Sequence, residues 1–403
     1  MQAQSSEIVT ADCCVVGGGP AGLMLGYLLA RAGVKVVVLE KHADFLRDFR
    51  GDTIHPSTLE IMHQLGLLEE LLTLPHQRAE KLQAEVAGEE ITMADFSHLP
   101  VHCRFIAFMP QWDFLNFLAD KSAQYSGFTL LKSTVFSELI QVKERVYGVL
   151  ALKEGQPLAI HAPLVIGADG RTSGVREKAG MVSRTFGVSR DVIWFRLSKQ
   201  AEDPAWGMGH KGPRNNFIMI DRGDYWQCGL TIQKGQFDSL KAQGLDALKS
   251  RIGAVAPFTA SRLAEITSPQ QFHLLSIRID RLDKWMKPGV LCLGDAAHAM
   301  SPIGGVGVNL AIQDAVAAAN YLTDPLLKGE VSLHDLQKVQ RRRQFPTVAT
   351  QYLQIKMSSN KKRSSGKSNM PAMIRRLPFL RFVFGRLIGL GFRMEKPQRF
   401  INR

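Results

Sequence analysis

Cysteine is scarce in this 403-residue chain, and its five cysteines include no C-x-x-C pair. Cys13, Cys14 and Cys292 fall in apolar runs that read as buried strands; Cys103 and Cys228 stand alone. A disulfide framework, a zinc site and dithiol redox chemistry are therefore not expected, and a reduced, cytoplasmic setting is. Long apolar runs are also lacking, so no segment has the length to span a bilayer. Met1 to Glu7 is polar, without a basic region and apolar core, so no secretory signal is expected. Acidic residues are missing from one place only. Residues 356–403 hold 13 Lys or Arg and one acid, Glu395, whereas residues 1–355 hold 37 basic and 36 acidic residues. The net charge of +13 thus belongs to the tail, and the basic face of a nucleic-acid binder is not expected on the body. No internal repeat is visible. The hydrophobic share of 45% and charged share of 22% suit a globular protein long enough for two domains.

What is present is concentrated in Cys13 to Glu40. Cys13 to Val16 is a short buried strand end. Gly17, Gly19 and Gly22 follow in G-x-G-x-x-G spacing. Leu23 to Ala32 reads as a helix, with Arg31 in its last turn and Gly33 just past its end. Val34 to Leu39 is a second buried strand ending on Glu40, 18 residues after Gly22. Gly17 permits the tight turn, Gly19 lets backbone approach a pyrophosphate, and Gly22 lets the helix pack on the sheet. The helix N-terminus favours phosphate, and Glu40 suits ribose hydroxyls.

His42 to Asp52 is polar and turn-like; Arg50 within it can reach a phosphate or remain solvated. Pro56 to Glu70 reads as a helix. Gln83 to His98 reads as strands of a second layer, and Gln111 to Gln124 as an amphipathic helix opening after Pro110. Phe128 to Val135, Leu139 to Val142, Val146 to Lys153 and Pro157 to Ala162 read as a strand and a meander. Leu164 to Ile166 is a short strand running into Gly167-Ala168-Asp169-Gly170-Arg171. Val192 to Leu197, Asn216 to Ile220 and Tyr225 to Ile232 are strands, the last two joined by the hairpin turn Asp221 to Asp224. Phe237 to Ala254 reads as one helix, Phe272 to Ile279 as one strand, and Glu330 to Gln344 as a helix ending in three arginines.

Pro288 to Leu310 is the second informative stretch. Val290 to Leu293 is a strand with Gly294-Asp295-Ala296-Ala297-His298 at its C-terminal end. Pro302, Gly304, Gly305 and Gly307 then lead into a helix from about Val308 to Leu322. Open α/β sheets bind ligands outside the C-terminal ends of their strands, which is where Asp295 and this turn belong.

GGGPAG at Gly17, GADGRTSGVR at Gly167 and GDAAHAMSPIGGVGVNLAIQDA at Gly294 together resemble the single-component FAD-dependent monooxygenases, the para-hydroxybenzoate hydroxylase-like family of aromatic hydroxylases, over roughly residues 8–345. The resemblance implies an α/β fold: a Rossmann-like FAD-binding domain with a βαβ unit, a parallel sheet and a β-meander, an inserted mainly β-sheet substrate domain, and a C-terminal helical tail. The boundaries read from the sequence are 1–80, 101–178 and 276–345 for the FAD domain, 81–100 and 179–275 for the substrate domain, and 346–403 for the basic tail.

The same resemblance implies that Gly17, Gly19, Ala21 and Gly22 hold the FAD pyrophosphate, with Glu40 and Lys41 at the adenosine ribose. It puts Arg50 on the pyrophosphate, Gln111 on a phosphate or the ribityl chain, and Asp295 on ribityl hydroxyls. Asp169 supports the site or serves as a structural turn acid. Pro302, Gly304 and Gly305 form the flavin-ring environment. Gly305, Gly307, Val308 and Asn309 present N–H groups to the ring's pyrimidine edge, where a reduced flavin carries negative charge. His298 shapes the site rather than carrying protons, and no acid or base stands out.

One dinucleotide motif, no C-x-x-C and no W-x-W-x-I-P stretch set the chain apart from two-dinucleotide enzymes and halogenases of related fold. The expected reaction is hydroxylation of an aromatic or polycyclic small molecule with NAD(P)H and O2, through a flavin C4a-hydroperoxide; the alternative is an FAD-dependent reductase or dehydrogenase of an isoprenoid-type substrate. Ile193, Phe195, Phe217, Met219, Trp226 and Cys228 are the expected pocket wall or plain core, with Arg196 and Gln227 as polar contacts. Met370 to Met394 is apolar with interspersed arginines, and is either a docked helix or a peripheral contact with the inner face of a membrane. A monomer or homodimer is expected.

Overall fold

The computed structural model describes residues 7–46, 53–86, 89–187, 190–201, 203, 210–211, 216–359 and 369–398. Cys13–Val16 forms a strand because four apolar residues in a row suit burial on both faces. The chain turns through Gly17–Gly19 into α1 (Pro20–Arg31), with Pro20 at the first helical position. The later helices are α2 (Pro56–Gln64), α3 (Leu68–Leu71), α4 (Gln111–Ala123), α5 (Gly174–Lys178), α6 (Phe237–Ala242), α7 (Leu245–Val255), α8 (Val306–Leu327), α9 (Leu333–Ser359), α10 (Asn369–Arg376) and α11 (Leu380–Gly389).

Cys13–Val16 lies inside a six-stranded sheet ordered Met286–Lys287, Val290–Cys292, Leu164–Gly167, Cys13–Val16, Val36–Leu39, Phe128–Leu131. All pairings are parallel except that of the first two strands. α1 packs on the sheet with α4 and α8 against it. Gly26 permits the close approach, since a Cβ there would sit 2.8 Å from Val38. A four-stranded meander sheet (Glu7–Thr10, Gln156–His161, Arg145–Lys153, Thr134–Val142) adds Val146, Val149, Leu158 and Ile160 to the same core.

A second sheet has seven strands, in the order His273–Leu275, Arg190–Ser198, Tyr225–Gln233, Asn216–Asp221, His210–Lys211, Lys81–Val86, Glu89–Asp95. Strands from two distant parts of the sequence thus build one inserted layer, capped on one face by α6, α7 and the 3-10 segment Pro257–Glu265.

Several expected elements are divided or extended. Pro56 to Glu70 is two helices, because the chain turns at Gly66 between α2 and α3. Phe237 to Ala254 is also two, broken at Gly244, whose φ of +94° a helix cannot hold. Phe272 to Ile279 is not one strand. His273–Leu275 stays in the seven-stranded sheet, whereas Ile279–Leu282 pairs with Ser183–Phe186. Between them the Asp191 carboxylate takes the Ile277 N–H at 2.9 Å and pins the crossing. The helix expected to end at Gln344 continues as α9 to Ser359, through Pro346 and across the expected tail boundary at 346. One lost hydrogen bond is outweighed by a face of α9 that stays buried well beyond Pro346.

The tail is docked. α11 lies on Glu89–Asp95, and Gly385 touches the Asp95 backbone so closely that a Cβ would collide with it. Beyond it, Glu395 bonds Arg342 at 2.7 Å and Arg343 at 3.1 Å, and Asn320 Nδ2 donates to the Lys396 carbonyl at 2.9 Å. Among the described residues no helix is long and apolar enough to cross a membrane.

Candidate functional site

The glycine turn is built by backbone crowding. A Cβ at Gly22 would strike the Gly17 carbonyl, and one at Gly17 would strike the Ala168 carbonyl. Gly19 differs: it is the N-cap of α1, no side chain caps that end, and a Cβ there would meet nothing within 4 Å. The first turn of α1 holds no acid. The uncapped N–H groups of Ala21 and Gly22 and the partial positive charge of the helix end, beside the open space at Gly19, make a cradle fitted to a phosphate. Glu40 stands beside it, Oε2 accepting the Gly18 N–H at 3.1 Å and Oε1 the His42 N–H at 3.0 Å. Ala21 is buried in the first turn, Lys41 is exposed, and Gln111 is half-buried at the start of α4. Arg50 lies outside the described residues.

The other two motifs are joined to this turn. Gly294 is wedged between α1 and α8, where a Cβ would sit 3.4 Å from Ala21 and 3.1 Å from Ala311. Asp295 is half-buried and takes Arg171 Nη2 at 3.1 Å. Arg176 donates to the Ala296 carbonyl at 3.3 Å and the Arg171 carbonyl at 2.8 Å. Asp169 turns inward, accepting the Ser173 hydroxyl at 2.5 Å and the Val175 N–H at 3.1 Å at the start of α5. Burial pushes its carboxyl above the usual range, against the lowering pull of those two bonds. Its side chain thus organises the turn that delivers Arg171 to Asp295.

The turn before α8 supplies a second open helix end. Gly304 and Gly305 have φ of +80° and +63°, a region where a side chain is strained. Gly305 is the N-cap of α8, without a side-chain cap or an acid in the first turn. The N–H groups of Val306, Gly307 and Val308 have no intrahelical acceptor. Asn309 is fully engaged by its side chain. Oδ1 accepts the His55 N–H at 2.8 Å and the Thr58 hydroxyl at 2.7 Å, while Nδ2 donates to the Thr53 carbonyl at 3.0 Å and the Gly305 carbonyl at 3.2 Å. It stitches α2 to the turn.

His55 and Thr53 are residues that sequence reasoning passed over. Thr53 donates its hydroxyl to the Gly305 carbonyl at 3.1 Å. His55 is buried, its Nδ1 is 2.8 Å from the Ile388 carbonyl of α11, and its Nε2 has no partner and lies 3.3 Å from where a Gly305 Cβ would be. Burial pushes the imidazole down to about 4, with the Ile388 bond working the other way, so the ring is neutral with Nδ1 as donor. Its signal was a polar pair, Thr53 and His55, directly before a Pro-initiated helix. His298 bonds Asp314 at 2.6 Å and its ring lies 4.8 Å from that of Trp285. Burial works to raise the Asp314 carboxyl, but His298 and Arg343 hold it below its usual range.

In the seven-stranded sheet the residues expected as pocket wall or plain core are core. Phe195, Phe217 and Trp226, with Ile193, Met219 and Cys228, form a core with α6, α7 and Phe272. Trp226 donates its indole N–H to Asp203 at 2.6 Å, and Asp203 is paired with Arg262 at 2.6 Å. The opposite face carries Val192, Trp194, Ile218 and Ile220, which pack with Phe108 of the strand Ile106–Phe108. Alternation along each strand forces the division. Gln227 lies on that second face, opposite Ile220 and Arg196 in register. Its Oε1 accepts both Arg222 Nε at 2.9 Å and Nη2 at 2.6 Å, which leaves Nε2 buried without a partner. The buried Trp194 N–H on the same face is likewise without an acceptor. Arg222 also acts on Asp113 at the start of α4, lowering a carboxyl that burial raises.

The family described as FAD binding domain matches residues 10–352. A 6-methylpretetramide 4-monooxygenase of Streptomyces rimosus is 30% identical over 384 residues, covering 93% of this chain and 91% of that protein. A rifampicin monooxygenase of Rhodococcus hoagii is 28% identical over 76% of this chain, which spans 62% of that longer protein. Among solved structures, the anhydrotetracycline hydroxylase OxyS of Streptomyces rimosus shares the fold with a TM-score of 0.77 at 20% identity, over 97% of this chain and 78% of its own.

Proposed function

The chain belongs to the FAD binding domain family as an FAD-dependent monooxygenase, and on that premise we propose that it hydroxylates an electron-rich ring of a polycyclic aromatic small molecule. The observation that supports the reading is the wedging of Gly294, next to Asp295, between Ala21 of α1 and Ala311 of α8, two helices whose N-termini both lack a side-chain cap. When bound, FAD accepts hydride from NAD(P)H and supplies the reaction with O2.

The chain's own residues hold and orient. The open first turn of α1, around Gly19, receives the pyrophosphate, and Glu40 the adenosine ribose. Asp295, oriented by Arg171, takes ribityl hydroxyls. The N–H groups of Val306, Gly307 and Val308 would stabilise negative charge on the ring of a bound flavin, with Pro302 shaping the ring's surroundings. Substrate is placed by the sheet face that carries Trp194, Ile218, Ile220 and Gln227. Its apolar residues exclude water, and the unpartnered donors of Gln227 and Trp194 meet acceptor oxygens on the substrate.

The test is NADH and NADPH oxidation followed with an oxygen electrode across phenols, quinolones and polycyclic aromatics. We expect yellow protein whose turnover rises with the polycyclic compounds and whose product gains one oxygen atom. Transfer of electrons to an isoprenoid without stoichiometric oxygen use overturns the reading.

We also propose a weak membrane contact. The α10–α11 junction leaves Leu377 and Phe379 exposed, with Val383 exposed on α11, near the exposed Arg375, Arg376 and Arg386. Apolar tips among arginines suit an anionic bilayer surface. Co-sedimentation with phosphatidylglycerol vesicles should exceed that with phosphatidylcholine and fall about fivefold in Phe379→Ser, roughly the loss of one exposed aromatic's contact. Equal recovery with both vesicle types rejects the contact.

A further inference from the structure

α9 carries a buried polar stripe. Gln340, Arg343, Thr347, Gln351 and Gln354 follow at spacings of three and four, so they share one helix face, and none exceeds 9% exposure. The stripe's three glutamines face the segment from Asp280 to Ile303, which leaves regular pairing after Cys292 and so needs partners for its backbone. Gln340 accepts the Trp285 N–H at 3.1 Å and donates to the Asp283 carbonyl at 2.8 Å. Gln351 donates to the Asp280 carbonyl at 2.8 Å and the Ala299 carbonyl at 3.0 Å. Gln354 accepts the Ser301 N–H at 3.1 Å and donates to the Ser301 carbonyl at 2.9 Å and the Ile303 carbonyl at 3.1 Å.

We propose that Gln354 is a positioning residue for the flavin-facing turn: its amide brackets Pro302 from both sides and sets where Pro302 and the Gly304–Gly305 turn stand. The inference rests on the proposed flavin site. Pro302 has no N–H, so the turn cannot be held through that residue's own donor. The bonds are made instead to its two neighbours, by the one kind of uncharged side chain that offers two donors and an acceptor on a single planar group. A carboxylate at this place could accept from Ser301 but would face two carbonyl oxygens. Among the described residues, every side-chain bond of Gln354 goes to Ser301 or Ile303, so its effect on the cofactor passes through the turn.

The test compares wild type with Gln354→Leu, Gln354→Glu, the milder Gln354→Asn, and Gln340→Leu as a control on the same stripe. For each, FAD affinity of the apoprotein is measured by quenching of flavin fluorescence. The visible spectrum and two-electron midpoint potential of the bound flavin are then recorded. We expect Gln354→Leu and Gln354→Glu to weaken FAD about tenfold, the equivalent of about 1.4 kcal/mol, and to shift both the spectrum and the potential. Gln354→Asn should shift them in the same direction by less. Gln340→Leu should lower thermal stability while its flavin keeps the wild-type spectrum and potential. If the Gln354 variants bind FAD with the wild-type spectrum and potential, Gln354 is structural only and the proposal fails. If Gln354→Leu does not fold, Gln354→Asn carries the same decision. Wild-type protein that takes up no FAD overturns the site reading itself, and the proposal with it.

Discussion

Arg343→Met loses about 3–5 kcal/mol of folding stability, the cost of leaving a buried carboxylate without its cation. Arg343 is fully buried within α9 and bridges two acids, Asp314 Oδ1 at 2.9 Å and Glu395 Oε1 at 3.1 Å. Methionine fills nearly the same volume, so a cavity contributes little and the charge decides the outcome. After the change Glu395 still has Arg342 at 2.7 Å, whereas the fully buried Asp314 keeps only His298 and the Gly294 N–H at 3.2 Å. The control is Arg342→Met. That side chain is 34% exposed and Glu395 would keep Arg343, so a loss under about 1 kcal/mol is expected. Urea unfolding of both variants measures the difference, and equal losses would sink the argument. The pH dependence has a definite sign. The Asp314 carboxyl is held below its usual range in the folded protein, so its contribution is present above the unfolded carboxylate pKa and is lost as pH falls through the folded one. The gap between wild type and Arg343→Met therefore narrows towards acid.

Gly19→Val produces a folded apoprotein that takes up FAD at least about a hundredfold less well, a loss of roughly 3 kcal/mol in binding. A Cβ at this position meets nothing within 4 Å, and Gly19 has φ −78° and ψ −174°, which valine adopts without strain. The helix end was never capped by a side chain, so loss of stability should stay within about 1 kcal/mol. The space that the valine methyls occupy is the space proposed for the pyrophosphate. Gly22→Ala is the contrasting variant. Its Cβ collides with the Gly17 carbonyl inside the protein, so stability and binding should fall together. Thermal unfolding of apoprotein and flavin fluorescence quenching separate the two effects. Wild-type FAD affinity in Gly19→Val would remove the phosphate cradle from the reading.

The same contrast runs through what could be read in advance. Gly17, Gly19, Gly22 and Glu40 were legible because strand, turn, helix and strand are local, and Gly22 answers a crowding problem set five residues earlier by the Gly17 carbonyl. The turn at Gly304 and Gly305, the meander and the membership of residues 81–95 in a second layer were legible for similar reasons. The assignment of the two faces of the seven-stranded sheet was not. Alternation along Arg190–Ser198 says that Phe195 and Arg196 point apart, but not which side meets α6 and α7. Aromatic residues do not decide it, since three aromatics make a good core as readily as a good wall.

By itself the sequence determined the α/β class, the order of the elements, the FAD-type motifs and the neutral body with a basic tail, all of which follow from spacing, turn chemistry and composition. Only the tertiary structure decided that α9 runs on through Pro346, that Gln354 reaches Ser301 and Ile303, that His55 is held neutral beside Gly305, and that the tail closes a buried charge cluster through Glu395. The physical reason is distance along the chain. A turn or a helix start is stabilised by neighbours, whereas the buried Gln354, His55 and Arg343 are stabilised by partners 29 to 333 residues away, and their sequence neighbourhoods carry no trace of them.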